Sequence, residues 1–120
     1  MKKELRIKIY NKFKGHCAYC GKKIAYKDMH VDHIIPRSDI ESTENIDNLN
    51  PSCKRCNLYK SNRSIEEFRE LVGTIQNRLL KIFIFKIALD FHIIKKPKKW
   101  NKEFYFERIS QCKNTNRVRK

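Results

Sequence analysis

No stretch of this 120-residue sequence approaches the ~18 consecutive apolar residues that a membrane-spanning helix needs. The richest run, Leu79 to Ile94, is interrupted by Lys81, Lys86, Asp90 and His92. The start does not read as a secretory signal. Met1-Lys2-Lys3 is basic, but the residues after it mix charge with Leu5, Ile7 and Ile9, so no apolar segment forms. There is no internal repeat and no low-complexity segment. Acidic residues are scarce, 13 against 28 Lys+Arg, for a formal net charge of +15. Residues 1–60 hold 13 basic and 7 acidic side chains and residues 61–120 hold 15 and 6, so the excess is not confined to one tail. A field of this sign attracts polyanions and makes nucleic acid the expected partner, with solubility or weak attraction to anionic membranes as the alternative reading of the charge. No membrane partner is expected, since that would leave the cysteines and the Asp32-His33 pair unexplained. Charge does not separate DNA from RNA. At 40% hydrophobic and 34% charged, the chain is too apolar for overall disorder, and its length suits one domain with an appendage.

Five cysteines without a secretory signal point to a reducing, intracellular (cytoplasmic) setting, where thiols bind metal or stay free. Four of them form two Cys-x-x-Cys pairs, Cys17/Cys20 and Cys53/Cys56, with 32 residues between the pairs. Each pair can bite a tetrahedral ion from one knuckle. Four thiolates close the shell and leave no open position, which describes a structural zinc and not a catalytic one. Such a site contributes on the order of 10–16 kcal/mol of apparent binding energy, a large quantity for a chain whose own core is small. His16 reads as a surface histidine, and Cys112, outside the pattern, as a free thiol. The pairs lie further apart than in a compact zinc ribbon, so a sizeable structure must be built between them.

The periodicity of Leu5, Ile9 and Phe13 predicts a helix over 3–14, capped by Gly15. Residues 29–35 read as a strand stopped before Pro36, 37–47 as a polar loop, and 46–50 as the start of a second strand or an irregular return. A helix is expected from the second knuckle to Lys60. Ser64 and Glu67 form a capping box for a helix over 65–72, and Gly73 ends or kinks it. The apolar run 75–94 fits a buried helix better than a strand because it is long and lacks turn residues.

Between the cysteine pairs lie Val31-Asp32-His33-Ile34-Ile35-Pro36 and Asp47-Asn48-Leu49; Asn57 follows Cys56 directly, with Lys60 three residues on. This ordered set, over about residues 5–61, resembles the zinc-bearing branch of the HNH endonucleases. The resemblance implies an α+β fold: a small ββα-metal (HNH, or His-Me finger) core with structural zinc, flanked by helices. It implies His33 as general base, Asp32 and Asn57 as ligands of a catalytic divalent cation, and Asn48 as the residue that holds the loop and so orients the histidine. Lys60 matches a commonly basic helix position suited to phosphate, and Lys54 and Arg55 are further weak candidates for nucleic-acid contact. The implied cofactors are structural Zn²⁺ and a catalytic Mg²⁺ or other divalent cation, and the implied substrate is DNA.

The chemistry is coherent on its own terms. Histidine side chains ordinarily titrate near pH ~6.5 and are largely neutral at pH 7, so one can accept a proton from water. A hard divalent ion takes oxygen ligands and keeps positions open for phosphate. One geometric difficulty stands: neighbours in a regular strand point to opposite faces, so the strand is expected to end or twist sharply at Asp32-His33. His30 reads as a surface or packing residue. The expected organisation is a zinc-pinned nuclease core over 1–61 and a helical, basic extension over 62–120 packing on it. In that extension Lys95, Lys96, Lys98, Lys99 and Lys102 would neutralise phosphates, with Trp100 or Tyr105 stacking or packing. The rival reading is a non-catalytic zinc-stabilised nucleic-acid-binding module. Target site, strand preference, biological context and oligomeric state, monomer or homodimer, are not legible.

Overall fold

The computed structural model describes residues 1–110; Cys112 and the last basic residues lie outside the described residues. Residues 1–65 and 104–110 form one compact unit, and residues 66–103 a second. The described end of the chain, 104–110, belongs with the N-terminal unit.

In the first unit, helix α1 (Lys3–Asn11) stops at Asn11 and not at 14. Lys14 and Gly15 both take left-handed backbone (φ 52° and 81°), and the Gly15 N–H donates to the Tyr10 carbonyl at 3.1 Å, reversing the chain. Polar side chains fasten α1 to later segments of the chain. Arg6 donates to the carbonyls of Tyr26 (3.0 Å) and Met29 (2.9 Å), and the Tyr10 hydroxyl to Ile24 (2.7 Å). Lys12 Nζ donates to Ile46 O (2.8 Å), Leu49 O (2.7 Å) and Asn50 Oδ1 (3.1 Å). Three acceptors offset the cost of desolvating that ammonium, although burial still lowers its pKa.

Strands β1 (His30–His33) and β2 (Leu49–Ser52) form an antiparallel ribbon in which Asp32 faces Asn50 and His33 faces Leu49. All four residues of β2 are buried. Pro51 has no N–H to donate, and its carbonyl instead accepts from Ala18 N at 2.9 Å, stitching β2 to the first cysteine knuckle. A two-stranded ribbon is marginal alone. Here α1 packs on β2, and helix α2 (Lys54–Lys60) packs on β1. The first knuckle is closed from a distance in sequence: Tyr105 N and Phe106 N donate to the carbonyls of Tyr19 (3.1 Å) and Ala18 (2.8 Å). Phe104 is buried, and the Phe104 and Phe106 rings meet the Tyr19 ring edge-on at 5.5 and 5.8 Å between centroids.

The second unit is helical. Helix α3 (Ile65–Gly73) starts directly after Ser64 and ends on Gly73. The apolar run 75–94 is not one helix. It divides into α4 (Ile75–Leu79) and α5 (Phe83–Asp90), because the N–H groups of Lys81 and Ile82 bond only three residues back, to Arg78 O (3.3 Å) and Leu79 O (3.0 Å). No residue of α5 is buried, and Phe83 and Ile84 are largely exposed. Lys95, Lys96, Lys98, Lys99 and Lys102 are all exposed. Arg69 donates to Lys102 O (2.6 Å) and Gln76 to Pro97 O (3.0 Å). Among the described residues, no helix is long and apolar enough to cross a membrane.

Candidate metal centre and active site

The two knuckles converge. The Sγ atoms of Cys17, Cys20, Cys53 and Cys56 all lie within 4.8 Å of one another, with Cys20 and Cys53 at 3.9 Å. Tetrahedral bonds of ~2.3 Å, as zinc makes to thiolate, place sulfurs ~3.8 Å apart, so the set fits one such ion. Its chemistry points the same way. Cys56 donates toward Cys17 and holds the Cys17 thiol well below the usual range, while Cys56 is itself pushed up by Cys17, and Cys20 is pushed up by burial. Four thiols this close cannot all ionise without a cation. His16 is outside the cluster, its Nδ1 3.0 Å from Phe13 O and its ring against Tyr105.

The second knuckle also sets α2. Cys53 is the N-cap residue, its Sγ accepting from Cys56 N at 3.4 Å. Asn57 then falls within α2, half-buried. Its N–H donates to Cys53 O (2.9 Å), and its side-chain amide has no hydrogen-bond partner among the described residues. Lys54 and Arg55 lie exposed on the first turn.

Strand β1 ends at His33, with Asp32 and His33 as its two buried residues. Their side chains diverge. The Asp32 carboxylate, 5% exposed, accepts from the Tyr19 hydroxyl on Oδ2, and Lys60 Nζ lies 3.1 Å from Oδ2 and 3.4 Å from Oδ1. Burial raises the Asp32 pKa, against the opposing pull of Tyr19 and Lys60. His33 turns toward the loop: its Nε2 lies 2.8 Å from Glu44 Oε1, and Arg37 Nε approaches the same nitrogen at 3.4 Å. That hydrogen bond holds the Glu44 carboxyl below the usual carboxylate range.

Buried Asn48 closes the loop. Its Oδ1 accepts from Ile35 N (2.8 Å), its Nδ2 donates to Thr43 O (2.8 Å), and its backbone carbonyl accepts from Ile34 N (2.8 Å).

The likeness to known proteins falls on these same residues. The family model described as HNH endonuclease matches residues 17–63, from the first cysteine to just past α2. The likeness to the HNH endonuclease family is carried by residues 17–63. The chain is similar to the CRISPR-associated endonuclease Cas9 of Corynebacterium diphtheriae, 46% identical over 46 residues, which are 38% of this chain and 4% of that protein. It is also similar to the crystal structure of the Type II-C Cas9 enzyme from Actinomyces naeslundii. That match has a TM-score of 0.52 and 32% identity, and covers 57% of this chain and 8% of that one. The HNH module therefore corresponds to a small part of each relative.

Within the module, Lys60 is not where a phosphate-contacting helix residue was expected. It has no exposed surface, and its ammonium is held by Asp32 and by the His33 carbonyl at 3.0 Å. The ammonium stands behind the site, in the interior, because the helix face that packs on β1 carries it there. Sequence reading also missed Tyr19 and Glu44. Tyr19 had one signal, its place inside the first Cys-x-x-Cys. Glu44 had none, since nothing in a polar loop marks which carboxylate will meet a histidine.

Proposed function

We propose that this chain is a metal-dependent HNH endonuclease that hydrolyses DNA phosphodiester bonds, with His33 as general base and a divalent cation, Mg²⁺ or another, held by Asp32 and Asn57. The cysteine cluster is read as a structural zinc site. The observation that carries the proposal is the convergence of three features on one small frame. Asp32 and His33 close β1, Asn57 offers an unengaged amide from α2, and the cysteines fasten the knuckle beside β2 to the start of α2. Both relatives are named as Cas9, one of them expressly as an endonuclease, and the net charge of +15 suits a polyanionic substrate.

The residues divide the work by chemistry. In the tautomer whose N–H is directed at Glu44, the other ring nitrogen keeps its lone pair and can take the proton of an attacking water. Asp32 and Asn57 offer one carboxylate and one amide oxygen, a donor set that suits a hard divalent ion without excess negative charge near the phosphate. When bound, that ion would supply Lewis-acid stabilisation of the phosphate and the leaving oxygen. Lys54 and Arg55, exposed on α2, are suited to backbone contacts that orient the duplex.

The test is nicking of supercoiled plasmid by the zinc-loaded chain in Mg²⁺, Mn²⁺ and Ni²⁺, with His33→Ala alongside. Cleavage by the wild type, lost in His33→Ala while DNA binding stays within a few-fold, is the expected result. One observation favours the second reading, a zinc-stabilised module that binds nucleic acid without cutting it: the Asp32 carboxylate already has a cationic partner in Lys60. Salt-sensitive DNA retention without nicking in any of the three metals would select it.

A further inference from the structure

We propose that Tyr19 is the positioning residue of the catalytic-cation site: its hydroxyl aims the Asp32 carboxylate, and through it the first cysteine knuckle and residues 104–106 act on that site. The inference rests on the reading of Asp32 as a cation ligand and deepens it.

Tyr19 is held at every point along its length. Its backbone carbonyl accepts from Tyr105 N at 3.1 Å. Its ring is met edge-on by Phe104 and Phe106. It sits between Cys17 and Cys20, so the knuckle fixes its Cα. What remains is the hydroxyl, and it donates to Asp32 Oδ2. A phenol is protonated at neutral pH and hence a donor. A buried phenol needs a partner, but a backbone carbonyl would have satisfied it. This one is bonded to a proposed metal ligand.

The direction of the effect comes from the donors around Asp32. An ionised carboxylate has about four acceptor sites. Tyr19 takes one on Oδ2, where Lys60 also approaches most closely, at 3.1 Å; Oδ1 has only the longer contact of 3.4 Å. The oxygen left with spare acceptor capacity is Oδ1. Without the phenol, Lys60 would be the stronger anchor, free to draw the carboxylate into a symmetric pair and engage both oxygens. Groups that orient a ligand from behind typically change metal affinity by about 10–100-fold when removed.

The experiment uses the zinc-loaded full chain and Mn²⁺ as the probe, with binding measured by electron paramagnetic resonance and zinc content measured on the same samples. Tyr19→Phe is expected to retain its zinc and to bind Mn²⁺ at least about 10-fold more weakly. Mn²⁺ affinity unchanged or tighter in Tyr19→Phe, with zinc retained, overturns the proposal. Wild-type Mn²⁺ binding that survives Asp32→Asn unaltered removes Asp32 as a ligand, and the proposal falls with that assignment. Should Tyr19→Phe lose zinc, 3-fluorotyrosine placed at position 19 decides the matter. Its fluorine resonance is expected to move as Mg²⁺ is added to the otherwise wild-type chain and to stay fixed in Asp32→Asn. No movement in the wild-type background overturns it.

Discussion

The Lys60 ammonium lies 3.1 Å from the Asp32 carboxylate, and neither side chain reaches solvent to any useful extent. Removing one partner of such a pair strands the other, at a cost of about 3–5 kcal/mol. Lys60→Met is therefore expected to be destabilised by roughly that amount, measured by urea unfolding of the zinc-loaded chain, and Asp32→Asn/Lys60→Met by less than Lys60→Met alone. The pH dependence has a definite sign. Burial already raises the Asp32 pKa, so the folded chain holds that proton more tightly than the unfolded chain. Ionising Asp32 thus costs stability as pH rises through its folded pKa, and Lys60 reduces that cost. Lys60→Met should lose more stability above the folded pKa of Asp32 than below it. No loss would show that the pair carries little energy, and a loss equal at all pH values would show that ionisation of Asp32 is not what costs the variant its stability.

The cysteine cluster makes a second prediction. Cys53→Ser/Cys56→Ser removes two of four ligands and the N-cap sulfur of α2 together. Structural zinc contributes on the order of 10–16 kcal/mol of apparent binding energy, against total stabilities of about 5–15 kcal/mol for whole domains. Zinc content, far-ultraviolet circular dichroism and plasmid cleavage should therefore be lost together in the double variant. Full activity without zinc would mean that the cluster is not what holds the frame.

These two sites differ in how legible they were. The cysteines were readable because their chemistry lies in spacing, and two Cys-x-x-Cys pairs can converge in few ways. Asp32, His33, Asn48 and Asn57 were readable only as an ordered set resembling a family. Lys60 reads as a phosphate contact because it matches a basic helix position of the resembled family; its burial depends on α2 packing against β1, which no local pattern records. The same limit explains residues 104–106. Their aromatics stood out within a basic stretch, but pairing with the first knuckle is a contact across more than eighty residues of chain. The apolar run 75–94 is helical only in two short pieces and is not buried there, because hydrophobicity alone marks neither the break between Leu79 and Phe83 nor what covers the face.

Gly21 is a position where the backbone leaves little choice. Its φ is +81°, and an added Cβ would stand 2.7 Å from Tyr105 Cδ1 and 3.1 Å from Cγ. That ring is held between His16 (5.6 Å) and the Arg108 guanidinium (5.4 Å), so it cannot yield freely. Left-handed backbone costs a non-glycine residue about 1–3 kcal/mol, and Gly21→Ala should lose at least that much in urea unfolding. Gly73→Ala is the control: it has nothing within 4 Å of the new Cβ and ordinary backbone. It should be neutral or gain up to about 1 kcal/mol. Equal effects at the two positions would refute the steric account.

Asn48 tests whether loop geometry matters to catalysis separately from stability. Its side chain spans the loop, accepting from Ile35 N at one side and donating to Thr43 O at the other, next to the Glu44 that meets His33. Asn48→Ala leaves the half-buried Ile35 N–H and the Thr43 carbonyl without their side-chain partner, worth about 1 kcal/mol each at most, which the cysteine-pinned frame should survive. The catalytic effect should be larger. Displacing a reacting group by ~1 Å can cost ~10²-fold in rate, and a released loop frees both Glu44 and the imidazole it holds. Asn48→Ala is thus expected to cut plasmid nicking by about 10–100-fold, with zinc content unchanged and DNA binding within a few-fold. Asn48→Asp separates the two halves of the clamp: it keeps the acceptor for Ile35 N but loses the donor to Thr43 O, so its rate should fall between wild type and alanine. If both variants nick at the wild-type rate while unfolding more easily, Asn48 serves the fold alone and His33 is oriented by Glu44 without help from the loop.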